Sequence, residues 1–404
     1  MKILYLHQYF NTPDMSGGTR SYEMARRLVA MGHEVHIVTS NRNEGSGKKD
    51  WYEELIDGIH VHWLPVPYSN RMSYSERVKA FFAFALKAYG KAVFIGGDVV
   101  FATSTPLTIA IPGVRAAKKL KVPMVFEVRD LWPEVPIAIG ALKNPLLIAA
   151  AKRLESFAYK NSARVIALSP GMADGVTKTG YPAGRVDIIS NSSDLDLFKP
   201  DEEKAKGFRA ACPELGSGPI VLYPGTLGLI NGVSYFPKMA AAVLPHRPDI
   251  RFVVLGDGME WDLVQNEARR LGVLNRNFFL YRQVPKKQVV AAFAAASVVT
   301  SFVIDIKELW ANSANKFFDA LASGTAVAIN YGGWQEDLLM EFQAGVALSP
   351  DPLLGAAVLV DFFSDADRIR VAGINARRLA EECFSRDVLA ARLERVLRES
   401  VGLA

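Results

Sequence analysis

Among the residues able to do chemistry, the densest group lies in ANSANKFFDALASGTAVAINYGG, Ala311–Gly333. Its spacing predicts a helix opened by Asn315 as N-cap and stopped by Gly324, with Phe317, Phe318 and Leu321 on a buried face. Lys316 falls in the first turn, and Asp319 lies four residues after Asn315 on the same side. Free backbone N–H groups at a helix start, joined by a lysine, suit a diphosphate, and a carboxylate one turn on suits a ribose diol. The same residues fit equally a plain capped helix with an i, i+3 Lys–Asp pair.

Two more glycine turns follow predicted strands. In NTPDMSGGTR (Asn11–Arg20), Gly17, Gly18 and Thr19 precede a helix with Tyr22, Ala25, Leu28 and Val29 on one face, so the backbone there can approach an anion closely. YPGTLGLINGV (Tyr223–Val233) offers a second such loop around Gly225–Gly228. Neither is the G-x-G-x-x-G fingerprint, which removes support for a nicotinamide dehydrogenase. A tight turn explains Gly17-Gly18 as well as a ligand does. Of the six histidines, His33, His36, His60 and His62 sit in or beside predicted strands and read as structural. His7, at the end of the first strand, is the exception and a candidate acceptor-binding residue.

Behind these loops, short apolar runs alternate with amphipathic helical stretches, the pattern of an α/β parallel sheet. Strands are predicted at Lys2–Phe10, Glu34–Ser40, Ile59–Val66, Val99–Thr103, Met124–Val128, Arg164–Leu168 and Val186–Ser190. After a Gly/Pro-rich, charged segment (Lys199–Pro219) the pattern restarts, at Ile220–Tyr223, Phe252–Leu255, Phe278–Tyr281, Val298–Phe302, Ala326–Asn330 and Val346–Leu348. Runs such as VHIVTS are continuous rather than alternating, as in strands covered on both faces. We therefore expect two Rossmann-like doubly wound domains, 1–198 and 199–384, facing a central cleft, and a helix over 385–404 bracing the first. Ligands of such sheets sit beyond the carboxyl ends of the strands.

The 404 residues are enough for two buried cores. Cys212 and Cys383 have no partners at disulfide or metal spacing, which fits a reducing, cytoplasmic setting. MKILYLHQYF reads as a strand rather than a signal peptide. The most apolar long stretch, 80–95, is broken by Lys87 and Lys91 and is too short to span a bilayer. Residues 1–198 carry a net +6 and 199–404 a net −1, so the first half is the one suited to an anionic partner. No Lys/Arg stripe with interleaved aromatics points to nucleic acid. SYSERVKAFFAFALKAYGKAVF (Ser73–Phe94) is basic and aromatic; it fits an interfacial helix at the inner face of the cell membrane or a buried core helix.

The order of these pieces resembles the GT-B glycosyltransferases, specifically the large retaining family four, over nearly the whole chain. GGTRSYEMARRLVAMGHEVHIVTS is similar to that family's opening loop, helix and second strand, and ISNSSDLDLFKP (Ile189–Pro200) to its pre-hinge segment. VVLGDGMEWDLVQNEARRLGVLNRNFFLYRQVPKKQVVAAFAAAS resembles its G-D-G helix and base-binding turn, placing Gly256, Gln283 and Val284 at the donor. FFDALASGTAVAINYGGWQEDLL is similar to the family signature. Where the family has two glutamates this chain has Ala311 and Asp319. Where it has an Arg/Lys pair on the leaving diphosphate, this chain has Thr226 and Asn231, and Lys316 is the natural replacement for the missing charge. G-T-L-G-x-x-N-G with N-K-x-x-D resembles bacterial transferases of O-antigen, capsule or exopolysaccharide synthesis, some using N-acetylfucosamine-type sugars.

The resemblance implies a metal-independent, retaining transferase using a nucleotide-sugar, with UDP the expected nucleotide, as co-substrate and no cofactor. The acceptor it implies is a saccharide or a polyprenyl-diphosphate-linked saccharide. Donor groups would be Gly17, Gly18, Thr19, Gly225, Thr226, Asn231, Gly256, Gln283, Val284, Asn315, Lys316 and Asp319. In FEVRDLWPE (Phe126–Glu134), Asp130 matches the family aspartate and Arg129 replaces its histidine. Asp130, Arg129, Glu134 and Lys316 are the catalytic candidates, and His7 and Arg129 the acceptor-binding ones. Asp130 also fits a simple turn cap, and Arg129 either a partner of Asp130 or a grip on an acceptor phosphate. Two rivals share the architecture: a sugar-nucleotide 2-epimerase, and a catalytically silent nucleotide-sugar-binding protein.

Overall fold

The computed structural model describes residues 1–404 apart from 16, 43–46, 69–71, 193 and 404, and the side chains of 74, 286 and 287. The chain forms two compact units, Met1–Ser190 with Asp387–Ala404, and Asn191–Arg386. Among the described residues the first unit has eight strands: β1 (Lys2–Leu6), β2 (Glu34–Asn41), β3 (Tyr52–Ile56), β4 (Ile59–Pro65), β5 (Val99–Thr103), β6 (Met124–Val128), β7 (Arg164–Ala167) and β8 (Val186–Ile188). Their order is β3-β4-β2-β1-β5-β6-β7-β8, parallel except for the β3–β4 hairpin. The second unit has β9 (Ile220–Pro224), β10 (Arg251–Leu255), β11 (Phe278–Tyr281), β12 (Val298–Ser301), β13 (Ala326–Ile329) and β14 (Gly345–Ala347), all parallel in the order β11-β10-β9-β12-β13-β14.

The continuous apolar strands are buried on both sides, as helix-covered parallel sheets require. In the first core Ile3, Tyr5, Ile37, Phe101 and Val125 pack with Leu389, Leu393, Val396 and Leu397 of the terminal Arg386–Ser400 helix. In the second, Tyr223, Phe236, Phe252, Phe278 and Phe302 form a mutually packed aromatic cluster.

Three details differ from the expectations. The division falls after Ser190 rather than Phe198, because the pre-hinge segment is tied to the second unit. There Asn191 bonds the Ser313 hydroxyl and carbonyl, Arg377 donates to Leu195 O and Phe198 O, and Phe198 packs on Phe293. β3 was not predicted, because YEELI is exposed and acidic, as an edge strand is. The turn joining it to β4 is Asp57-Gly58, both at positive φ (48° and 79°), a hairpin signal present in the sequence. Lastly, the first strand stops at Leu6, so His7 stands just beyond it.

Candidate functional site

In the second unit the candidate residues ring the carboxyl edge of the sheet. Gly225 follows β9, Gly256 follows β10, and Gln283 and Val284 lie just past β11, Gln283 exposed and Val284 half-buried. The two glycine loops press together: a Cβ on Gly256 would stand 1.8 Å from Gly225 O, so no side chain fits there. Gly225 itself has φ 145°, a conformation open to glycine and strained for other residues.

The helix that faces these loops runs Asn315–Ala322. Asn315 is not its N-cap. Ala314 holds that place, no side chain caps the helix, and the turn before it is organised by Asn312, whose carboxamide accepts from Ala314 N–H at 3.2 Å. Asn315 is already helical and points its side chain to solvent. The helix ends at Ser323, followed by Gly324 at φ 70°.

Lys316 leaves the i, i+3 geometry with Asp319 and reaches across to β9. Its ammonium donates to Tyr223 Oη at 2.9 Å and to Asn231 Oδ1 at 3.3 Å, and lies 4.3 Å from the centre of the Tyr223 ring. A Cβ on Gly225 would stand 3.5 Å from Lys316 Nζ, an ordinary contact, so the φ of this position rather than the lysine calls for glycine. Among the described residues no carboxylate pairs with Lys316 within 4.0 Å. Burial without a counter-ion pushes its pKa down to about 7. Tyr223, which the sequence reasoning missed, is buried at the end of β9 and fixed by donating to Thr226 O at 2.8 Å. Its aromatic type at a strand terminus reads as core, so only its neighbours disclose a role. Thr226 is exposed, and Asp319, half-buried, sits one turn along the helix from Lys316. Past β10 and β11, Arg282 bonds Asp257 at 2.7 Å and covers the Trp261 ring at 3.7 Å.

In the first unit the candidates also gather at the carboxyl edge. Gly17 (φ 125°) and Gly18 lie in the loop before the Arg20–Ala30 helix, for which Thr19 is the N-cap without a side-chain bond. Asn11 organises the loop, donating to Tyr9 O and Gly18 O, and a Cβ on Gly17 would strike its amide at 2.7 Å. Ser16 of this loop lies outside the described residues. His7 is buried, and its Nε2 lies 3.4 Å from Arg129, a donor, which leaves the ring proton on Nδ1, a buried atom without a hydrogen-bond partner. Burial first, then Arg129 and Arg42, hold its pKa well below the usual value, so the ring is neutral. The next strand over contributes Arg42, which bonds the Asn11 carboxamide; the sequence reasoning missed this residue too, for a lone arginine before a polar loop carries no pattern.

Asp130 accepts from Thr105 Oγ1 at 3.1 Å, and no ion pair within 4.0 Å joins it to Arg129. Its side chain reaches solvent, yet burial raises its pKa against the opposing pull of Arg129 and Thr105. Arg129 N–H is fixed by Ser104 Oγ at 3.0 Å. Beneath them Glu127 is fully buried, gripped by Arg20 at 2.8 and 3.1 Å and by Thr103 at 2.6 Å.

Glu134 opens the short Glu134–Ala138 helix, and its electrostatic neighbour is Glu155 of the Pro145–Lys160 helix. Glu134 Oε2 and Glu155 Oε1 are both buried without hydrogen-bond partners. Burial and the nearby Glu134 raise the Glu155 pKa to about 7. The folded state therefore binds a proton that the unfolded chain has released above its ordinary pKa of 4.5. Stability from this group falls as pH rises from about 4.5 to 7, and the penalty is complete above 7. Glu155→Gln should raise stability by roughly 1–3 kcal/mol at pH 8 and by progressively less toward pH 5. Denaturant melts at the two pH values check this, and an equal change at both would contradict it.

Residues 17–192 match the family described as Glycosyl transferase 4-like domain. The chain is 24% identical over 299 residues, 69% of its own length and 71% of the relative's, to the putative colanic acid biosynthesis glycosyl transferase WcaI of Escherichia coli K12. It is 34% identical over 112 residues, 27% of its length and 28% of the relative's, to the alpha-D-kanosaminyltransferase of Streptomyces kanamyceticus. The structure of Anabaena Alr3699/HepE, solved in complex with UDP-glucose, superposes with a TM-score of 0.74 at 16% identity, covering 99% of this chain and 100% of that one.

Proposed function

We propose that this chain is a glycosyltransferase of GT-B fold, as the match of residues 17–192 to a Glycosyl transferase 4-like domain supports, and that it transfers a sugar from a UDP-sugar to a saccharide or lipid-linked saccharide in bacterial surface-polysaccharide synthesis, with retention of configuration. The observation that carries this reading is the unpaired ammonium of Lys316 at the carboxyl edge of the second sheet. As the glycosidic bond to the diphosphate breaks, the sugar becomes oxocarbenium-like and negative charge gathers on the leaving phosphate. A cation placed there in advance lowers the barrier most, because its charge is needed only then. Lys316 fits: Tyr223 and Asn231 hold it by dipoles, so no carboxylate within 4.0 Å among the described residues competes with the ligand for its charge. Asn231 and Thr226 stand where the resemblance expects cations, and Lys316 supplies one from the facing helix.

The Gly225 and Gly256 loops offer bare backbone to the diphosphate, Asp319 a carboxylate for the ribose diol, and Gln283 and Val284 the edge for the base. In the first unit Asp130 orients the acceptor hydroxyl, with Arg129 and His7 beside it. The similarity to a kanosaminyltransferase supports an amino or N-acetylated hexose as the donor sugar. The transfer runs on protein groups, with the nucleotide-sugar as co-substrate.

The Tyr74–Ile95 helix, capped by Ser73 and Glu76, buries Phe84, Ala85, Ala88 and Ala92 and exposes Phe82, Leu86 and Phe94 beside Lys79 and Lys87. Such a face suits peripheral contact with an anionic membrane. No helix among the described residues is long and apolar enough to cross one.

Lys316→Ala should lower kcat by about 10²–10³ with little change in melting temperature; near-normal turnover would rule out the assignment. Because a bound diphosphate restores the ordinary pKa of the ammonium, UDP binding takes up a proton above pH 7. Affinity should therefore fall as pH rises from about 7 to 9 in the native protein and stay flat in Lys316→Ala, as calorimetry reads directly. Vesicle flotation tests the membrane face: binding to anionic vesicles should weaken with salt and with Leu86→Glu, and salt-insensitive or absent binding contradicts it.

A further inference from the structure

A cavity of about 800 Å³ opens at the amino edge of the second sheet, opposite the edge that carries Gly225 and Gly256. Its floor is the chain just before three neighbouring strands: Pro219 before β9, Ser297 before β12 and Thr325 before β13. Its long wall is one face of the Ala366–Cys383 helix, on which Arg370, Ile374 and Arg378 follow one another at i, i+4 and i+8. Pro200, Phe363, Ile369 and Ile374 make much of the lining apolar, and an occupant would cover Ile374, which is 57% exposed. The charge of the lining is one-sided. Arg247, Arg370, Arg377 and Arg378 face the cavity, and among its lining residues Glu381 is the carboxylate. Arg247 pairs with Asp249 at 2.7 Å, Arg370 with Asp367 at 3.2 Å and Arg377 with Glu381 at 2.6 Å. Arg378, exposed, makes no ion pair within 4.0 Å among the described residues.

Arg377 joins this wall to the helix that carries Lys316. Its Nη1 donates to Leu195 O, Phe198 O and Ala322 O at 3.0, 2.8 and 2.6 Å. Ala322 is the last residue of the Asn315–Ala322 helix, so the guanidinium caps the carbonyl end of that helix. The two segments also touch backbone to backbone, since a Cβ on Gly373 would stand 2.4 Å from Gly324 O. We propose that the cavity is a regulatory site for an anionic amphiphile, a ligand with an apolar chain and a single anionic head, and that an occupant acts on the Lys316 helix through Arg377. The apolar lining takes the chain, the surplus of guanidinium takes the head, and the volume is that of a site for a small organic ligand. A head that draws Arg377 toward itself weakens the hold on Ala322 O and loosens the last turn of the helix. The proposal stands on the second unit alone and goes beyond the transfer reading.

The experiment is calorimetry of the full chain with decanoate, decanol, decyltrimethylammonium and acetate, at concentrations below those at which micelles form. Decanoate should bind at least about tenfold more tightly than the neutral chain, the cationic chain or the head alone. Arg378→Gln and Ile374→Asp, both at exposed positions, should keep the native melting temperature and each lose about fivefold of that affinity. Leu86→Glu, on the Tyr74–Ile95 helix of the first unit, should leave it unchanged. Hydrogen exchange reads the coupling: with decanoate saturating, the amides of residues 320–324 should exchange about two- to fivefold faster than in the free protein. Decanol, decyltrimethylammonium or acetate binding as tightly as decanoate, undiminished affinity in Arg378→Gln and Ile374→Asp, or unchanged exchange at residues 320–324 in the decanoate-saturated protein would each overturn the proposal.

Discussion

The site depends on a positive charge kept without a negative partner. Lys316 is removed from much of its water and given a phenol, a carboxamide and an aromatic face in place of a carboxylate. Such an arrangement costs stability, since burial penalises the ammonium. The cost persists because two elements hold it: β9 carries Tyr223 next to its last residue, and the Asn315–Ala322 helix points its first turn, with Lys316, toward it. A carboxylate near Lys316 would relieve the penalty and also neutralise the charge that the proposed diphosphate site needs.

The first unit applies the same economy by a different route. Its interior charge is matched, with Arg20 and Glu127 locked together and Thr103 completing the shell. At the rim above, Arg42 and Arg129 are left with neutral partners. The ion pair inside holds the fold, and the arginines at the strand ends make no ion pair within 4.0 Å among the described residues. Peripheral groups follow the fold side of this division: Glu134 and Glu155, for example, are a strained carboxyl pair between helices rather than part of the rim.

Much of the architecture was legible. Strand runs such as VVFAT and MVFEV have nothing polar to expose and can only be buried, and the restart after Phe198 signals a second sheet. The Asp57-Gly58 hairpin was legible in principle but masked by the acidic edge strand that it introduces. The site was legible in its residue types and poorly in its contacts. Lys316 and Asn231 were singled out, yet their hydrogen bond joins residues 85 apart in sequence, which no local spacing encodes. Asn315 was misjudged because asparagine is the commonest kind of cap, while here Asn312 three residues earlier shapes the turn. Tyr223 and Arg42 were invisible for a related reason: one looks like core and the other like loop, and only strand order brings each to a site.

The most direct measurement is a crystal structure of the complex with UDP. The account predicts the β-phosphate within about 3 Å of Lys316 Nζ, with the Gly225 loop against the diphosphate and Tyr223 still bonded to the lysine. A diphosphate bound elsewhere, with Lys316 unmoved between Tyr223 and Asn231 and no phosphate oxygen near it, would contradict the claim that this ammonium is held for the leaving group.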